Sequence, residues 1–406
     1  MPDRLPEWHA HRHNVSVTAQ DIIEVGVEEA LPKGKLEEQL ASGKPLRVKF
    51  GIDPTAPDIH LGHVVILTKL AQFQEAGHTV VLIIGDFTAR VGDPSGRATQ
   101  RPILSPDEIE TNAKTFQEQA FKVLDRDRTE VRFNSEWLDM PAQELFRLLG
   151  TVTVARLLER DDFTKRMKAD QPISALELLY PVLQGYDSVA IRSDVELGGT
   201  DQKFNLLFAR DIQRTHDVPE QSILTMPILP GIDGKQRMSK SLGNYVAVTD
   251  PPEEMFGKLM RIPDSALPTY YELILGERAP KDDPLAAKRA LARRIVERFH
   301  GPDAGTAAEA RFDTVHVAHE IPDDIPEVSL GDAGEAKGEE GEVHLPALIA
   351  SAFGMSTSEA RRLIAQGGVK LDGESVEPER LDLPAGELGG RVLQVGKRRF
   401  ARLVAS

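Results

Sequence analysis

The chain has no cysteine, and that absence closes several routes at once. Disulfides and thiolate-held zinc are excluded. A reducing compartment fits this composition without being required by it. No apolar run of about 18 residues occurs, and the start of the chain lacks the apolar stretch of a secretory signal. The expectation is a soluble, cytoplasmic protein with no membrane partner. Positive charge is also short: 49 Lys and Arg against 64 Asp and Glu give a net charge of −15. A surface coated all round by nucleic acid is thereby disfavoured, although basic residues gathered on one face still allow local RNA contact. Part of the acidic excess lies between Asp323 and Glu342.

What is present is ordinary globular material. The 406 residues exceed one small core, so two or three domains are expected. Hydrophobic residues make up 40% and charged ones 28%, as in a soluble folded protein. His9, His11 and His13 alternate in HAHRH. A frayed terminus is preferred there to a metal site.

Residues 46–52 (LRVKFGI) read as a buried strand, and DPTAPDIHLGH leads from it into an apolar helix ending near Ala76. TVVLIIG, residues 79–85, reads as a second strand. Strand, helix and strand at this spacing form a right-handed parallel βαβ unit. GDPSGR is a tight loop, and helices are expected to fill roughly 107–185. DVELGG followed by TDQKFNLLFARDIQ is again strand then helix, and ILTMPIL (223–229) is a further strand. GIDGKQRMSKS follows as a loop. The fold class is therefore α/β: a doubly wound, Rossmann-like domain over 1–245. Beyond it, PPEEMFGKLMRIPD and LAAKRALARRIVERFH read as helices of a domain over 246–322. In the second, Leu291, Ile295 and Phe299 form an apolar stripe, with Lys288, Arg289, Arg293, Arg294 and Arg298 on other faces. A solvated helix is preferred there to an RNA-facing one. Residues 323–342 lack periodicity and read as an acidic linker. From Val343 a small α+β unit runs to 406: two short helices, GGVKLDG, and strand-like VLQVGKRRFARLV.

Two short motifs carry chemistry. HLGH, His60 to His63, opens a helix after a strand. His60 and His63 lie one turn apart, so both rings project to one side. A helix N-terminus attracts phosphate, and Gly62 leaves room for a nucleotide base. Capping or core histidines are the bland alternative, an i, i+3 metal pair a lesser one. Asp53, Pro54 and Thr55 upstream favour a nucleotide loop, with the Thr55 hydroxyl free to meet a phosphate. RMSKS, Arg237 to Ser241, sits among Gly231, Gly234 and Gly243 in a loop able to close over a ligand. Lys235, Arg237 and Lys240 could reach terminal phosphates; an exposed basic loop is the alternative. Activation of a carboxylate by ATP needs such parts. The protein supplies no nucleophile; it holds two anions in line and neutralises the leaving pyrophosphate.

GIDPTAPDIHLGH, GDFTARVGDPSGR, YPVLQGYDSVA, GGTDQKFN and RMSKS resemble, in order, stretches of the bacterial tyrosyl-tRNA synthetases, within class I aminoacyl-tRNA synthetases. The resemblance covers nearly the whole chain. It implies that Gly51, Asp53, Thr55, His60, Gly62 and His63 frame ATP, together with Lys235, Met238, Ser239 and Ser241, while Gly199 and Asp201 hold the ribose. Arg97, Arg101, Arg237 and Lys240 would bear on pyrophosphate. Asp93, Tyr180 and Gln184 would take the substrate's ammonium, Gln202 its carboxyl end and Asp187 its phenol. Part of the family has tyrosine where Lys49 stands, as a second phenol partner, so Lys49 is placed at the tyrosine site with its bonding open. RMSKS in place of KMSKS keeps the charge and changes donor geometry.

SEARRLIAQGGVKLDGESV resembles the small RNA-binding fold that ends these synthetases. Arg361, Arg362, Lys370, Lys397, Arg398 and Arg399 are its candidate phosphate contacts, against the reading of a solvated charged surface. The resemblance further implies ATP with Mg2+, L-tyrosine and tRNA(Tyr) as partners. It also implies an anticodon-side helical domain and a homodimer built around residues 135–185. Tryptophanyl-tRNA synthetase, a catalytically inactive RNA-binding derivative and a small nucleotidyltransferase are the rival readings. YPVLQGYD, the intact HLGH and RMSKS motifs, and the size of the chain argue against them in turn.

Overall fold

Val48 and Phe50 are buried on a strand whose neighbours are as apolar as itself, the pattern of a sheet covered on both faces. The computed structural model describes residues 17–55, 58–94, 105–239, 242–315, 325–333, 342–396 and 399–404. Two compact units divide at 306/307. In the first, six strands form one sheet: β1 (Glu29–Leu31), β2 (Arg47–Ile52), β3 (Thr79–Ile84), β4 (Thr129–Phe133), β5 (Val195–Gly199) and β6 (Ser222–Met226). Their order is β1-β6-β5-β2-β3-β4. All neighbours are parallel except β1, which runs antiparallel to β6. From β2 the chain moves outward through β3 to β4, then returns to the other side of β2 as β5. The order reverses between β2 and β5, and the crevice beyond their carboxyl ends is where such sheets take ligands.

Two of these strands were not expected. β4 lies inside the stretch read as helical. Its sequence TEVRF offers five half-exposed residues at the sheet edge, too little apolar contrast to stand out. β1 is three residues long and is recruited by pairing with β6.

The helices place the site residues. α1 (Leu61–Glu75) starts at His60, buries Leu61, Val64, Leu67 and Leu70, and ends before Gly77 in the left-handed region. α2 (Pro106–Ala120) is capped by a reciprocal Ser105–Glu108 box. α3 (Ala142–Leu149) follows. α4 (Ala175–Ala190) carries Tyr180, Gln184 and Asp187 three or four residues apart, hence on one face. α5 (Lys203–Thr215) packs on α4 at Gly185, where a Cβ would come within 2.8 Å of Ile212. α6 (Pro252–Leu259) and α7 (Pro284–His300) belong to this first unit too. On α7 the stripe Leu291, Ile295 and Phe299 is buried. Its bases turn inward or pair: Lys288 meets Asp264, Arg294 meets Glu277, and Arg298 donates to the Ile274 carbonyl and Thr68. From Ala287 to His300 every residue is buried or half-buried, so this is a packed structural helix and not the solvated one expected.

In the second unit, β7 (Glu327–Ser329), β8 (Glu342–His344), β9 (Val369–Leu371), β10 (Glu374–Ser375), β11 (Asp382–Pro384), β12 (Val392–Val395) and β13 (Arg399–Val404) form a five-stranded sheet, β10-β9-β12-β13-β7, and a β11–β8 pair. α8 (Leu345–Phe353) and α9 (Thr357–Ala365) cover one face, and Leu345, Leu348, Ile364, Leu393 and Leu403 share the core. Within the span read as a linker, β7 instead runs parallel to β13, and Leu330 joins the core. Three strand residues between acidic stretches carry no visible period, so the pairing escapes the sequence. Among the described residues no helix is long and apolar enough to cross a membrane.

Candidate active site

A cleft of about 650 Å³ opens at the carboxyl ends of β2 and β5, at the switch point. Its first wall is the start of α1. His60 is the N-cap in extended conformation (φ −118°), and its backbone N–H donates to Nδ1 of His63 at 3.2 Å. The rings stack with centroids 3.9 Å apart. A Cβ at Gly62 would lie 3.0 Å from the His60 ring, so glycine lets the pair close. Burial drives the His63 pKa down to about 4. Burial, then His63 and Arg237, holds His60 well below the usual range. Both are neutral at neutral pH. Because Nδ1 of His63 accepts, its proton is on Nε2, a donor. Buried Nδ1 of His60 has no hydrogen-bond partner among the described residues.

The loop after β6 forms the second wall. Asn244 organises it, accepting from Ser239 N–H at 2.8 Å and donating to Asp233 at 2.8 Å and to the Arg237 carbonyl at 3.1 Å. Gly231 is needed there, since a Cβ would fall 2.4 Å from the Asn244 amide. Arg237 pairs with Asp201 at 3.0 Å, beside Gly199 at the end of β5. Burial raises the Asp201 pKa and Arg237 opposes the rise. Met238 and Ser239 also line the cleft, as do Gly51, Asp53 and Thr55 at the end of β2. Lys235 is exposed and does not line it. Lys240, Ser241, Arg97 and Arg101 lie outside the described residues.

Deeper in, polar groups converge. Tyr180 Oη donates to Asp53 at 2.9 Å, and Thr88 Oγ1 donates to the other Asp53 oxygen at 2.7 Å. Burial, then Asp53 and Asp93, raises the Tyr180 pKa well above its ordinary value. Gln202 donates to Asp93 at 2.8 Å, and Asn205 joins Gln202 to Gln184 through two 3.0 Å bonds. Arg160, 4% exposed, approaches Asp93 at 3.9 Å. Asp187 accepts from Trp137 Nε1 at 2.8 Å and from Asn134 at 3.5 Å. Burial pushes its pKa up to about 7, against the nearby Lys49 charge and these two donors. Lys49 itself is fully buried and does not line the cleft.

Sequence reasoning missed Thr88, Asn134, Trp137, Arg160, Asn205, Tyr245 and Glu196. Asn134 and Trp137 follow β4, the unread strand. Glu196 had a signal, a lone carboxylate in the apolar strand VELGG. Tyr245 stands 6.1 Å from the His60 ring with its hydroxyl 3.4 Å from Asp58.

In the second unit Arg361, Arg362 and Arg399 are exposed and Lys370 is half-buried. Register puts Lys370 in the row of Gln394 and Phe400, and Arg399 in the row of Val395 and Val369. Adjacent rows face opposite ways, so Lys370 lies on the face away from Arg399. Arg361 is 3.2 Å from His344, which bonds Asp382 at 2.6 Å. Lys397 and Arg398 lie outside the described residues.

Stacked neutral histidines at a helix start, a loop arginine paired with a carboxylate and a buried acceptor deeper in suit adenylate-forming chemistry. Residues 41–316 match the family model of class I tRNA synthetases (W and Y), and the chain belongs to that family. Within it, relatives matched over nearly their full length include tyrosine–tRNA ligases. That of Moorella thermoacetica is 51% identical over 99% of both chains. That of Burkholderia mallei is 50% identical over 97% of this chain and 95% of the relative. The fold is also that of a truncated Aspergillus nidulans mitochondrial tyrosyl-tRNA synthetase, with a TM-score of 0.60 at 22% identity over 76% of this chain and 96% of that one. It is likewise that of the Archaeoglobus fulgidus synthetase complexed with L-tyrosine, with a TM-score of 0.58 at 24% identity over 72% and 98%.

Proposed function

We propose that the chain activates L-tyrosine with ATP and esterifies the tyrosyl group to the terminal ribose of tRNA(Tyr). The observation that carries the choice is Asp187: a buried acceptor fixed by Trp137 and Asn134 at the floor of the cleft. Phenylalanine has no hydroxyl to offer this group.

The tyrosine carboxylate attacks the α-phosphorus, the bond to the bridging oxygen breaks, and pyrophosphate leaves with the electron pair. His63 Nε2–H and the α1 N-terminus face the phosphates as neutral donors. Asp201 and Gly199 are placed for the ribose, and Asp93 and Tyr180 for the ammonium. Mg2+ arrives as part of the substrate, MgATP, where phosphate oxygens and water supply most ligands. No group of three or more His, Asp or Glu among the described residues would hold it alone. ATP–pyrophosphate exchange across the twenty amino acids tests the reading. Exchange should require tyrosine; strong dependence on tryptophan would overturn it.

The second unit is assigned to tRNA. Truncation after residue 315 should leave exchange near wild type and weaken tRNA charging. Truncation at 343 would strand β7 and expose Leu330, so its product should be less soluble. Equal loss of exchange and charging in the shorter protein would show that this unit supports the catalytic fold.

Homodimerisation is assigned to the 135–185 segment. Phe146, Val154 and Met167 are 68%, 62% and 52% exposed there, unusual for apolar side chains grouped in one short span. Phe146→Asp should halve the sedimenting mass. An unchanged mass would move the interface elsewhere. Activity in the cytoplasm completes the reading.

A further inference from the structure

We propose that the buried Lys49–Glu196 ion pair is the positioning element of the tyrosine end of the cleft. It anchors α4 to the sheet on the turn that carries Asp187, and its cation favours the ionised form of that carboxylate. The inference rests on the reading of Asp187 as the phenol's acceptor.

The geometry is closed. Lys49 on β2 and Glu196 on β5 are register partners across the switch point. Their side chains are 0% and 2% exposed, and Nζ lies 2.8 Å from Oε1. Nζ also donates to the Gln184 carbonyl at 2.9 Å and to Ser188 Oγ at 2.8 Å. An ammonium has three protons, and all three are used. None is left for a phenol, so Lys49 acts through its neighbours. Glu196 is equally occupied, accepting from Lys49, from Gln184 Nε2 at 3.3 Å, from Ser188 Oγ at 3.0 Å and from Gln221 Nε2. Gln184 and Ser188 are one helical turn apart and bracket Asp187.

The charges facing Asp187 come from several elements. Lys49 on β2 favours its ionised form, as do the donors Trp137 and Asn134 after β4. Glu196 on β5 opposes it. Tyr180 on α4, bonded to Asp53, stays protonated beside Asp53, Asp93 and Asp187. Of the fixed charges, Lys49 is the leading one that favours the carboxylate.

The test is equilibrium binding of L-tyrosine and L-phenylalanine to the full-length enzyme across neutral pH. Lys49→Met alone strips Glu196 of its partner and invites misfolding. Lys49→Met with Glu196→Gln removes both charges at nearly constant shape and is the main variant. Asp187→Asn is the reference. Wild type should lose tyrosine affinity on acidification through a midpoint near that of Asp187, with phenylalanine binding flat. In the double variant the midpoint should move up by about one pH unit, costing roughly tenfold in tyrosine affinity below it. An unmoved midpoint in the folded double variant overturns the proposal. If Asp187→Asn keeps both the affinity and the pH dependence, the reading of Asp187 itself fails.

Discussion

Gly85→Ala is expected to slow tyrosyl-adenylate formation by on the order of a hundredfold or more. Gly85 directly follows β3 beside the end of β2, and its N–H bonds the Ile52 carbonyl at 2.9 Å. A Cβ there would stand 2.1 Å from Asp53 Oδ1 and 2.4 Å from Thr88 Oγ1. Both distances are far inside contact, so Asp53 must swing away. Asp53 receives Tyr180 and Thr88, and Thr88 in turn receives Asn134, the neighbour of Asp187. One methyl group therefore disturbs the ATP end and the tyrosine end together. Breaking two buried hydrogen bonds costs about 1–3 kcal/mol each. About 1.4 kcal/mol is tenfold in rate. Presteady-state adenylate formation reads the effect, with thermal unfolding as the control for folding. A rate within threefold of wild type would show that Asp53 has room to move.

His63→Ala is expected to slow the same step by roughly 10²- to 10³-fold, the usual consequence of removing one preorganised donor, about 2.7–4 kcal/mol. Tyrosine binding should change little, because the tyrosine-end groups Asp93, Tyr180, Gln184 and Asp187 lie elsewhere in the cleft. A pH signature accompanies it. The folded pKa is about 4 against 6.5 for a free imidazole. Between those values the unfolded chain binds a proton that the folded ring refuses, so stability falls as pH drops through that window. Above pH 6.5 the term is absent. His63→Ala should therefore be less acid-sensitive than wild type over that range in thermal melts. Equal acid sensitivity would mean that the folded ring takes up its proton as readily as the unfolded one.

Much of the fold was legible because its signals are local. β2, α1 and β3 are long apolar segments punctuated by turn residues, and the GG of β5 and the glycines around RMSKS mark backbone that must come close. The edges were not legible. β1, β4 and β7 have three to five residues each and exist because a neighbouring strand pairs with them, a non-local fact. The site divides in the same way. His60, His63, Tyr180 and Asp187 are visible as motifs on helices. Thr88, Asn134 and Trp137 are common residues that matter only because β3 and β4 deliver them to the floor beneath Asp187. Lys49 was legible only through the resemblance, as the residue standing where part of the family has tyrosine; its burial and its bonds to Glu196, Gln184 and Ser188 are non-local facts.

Lys49 and Glu196 also constrain how this enzyme can drift. Changing either one first leaves the other as an uncompensated charge in a dry interior, a step that costs about 3–5 kcal/mol. That is a large share of the roughly 5–15 kcal/mol holding a typical domain together. Lineages should therefore cross between a charged and a neutral floor by rare paired exchange, with few survivors in between. Relatives with tyrosine at the Lys49 position should carry an uncharged residue at that of Glu196, and the two floors should mark separate branches of the family tree.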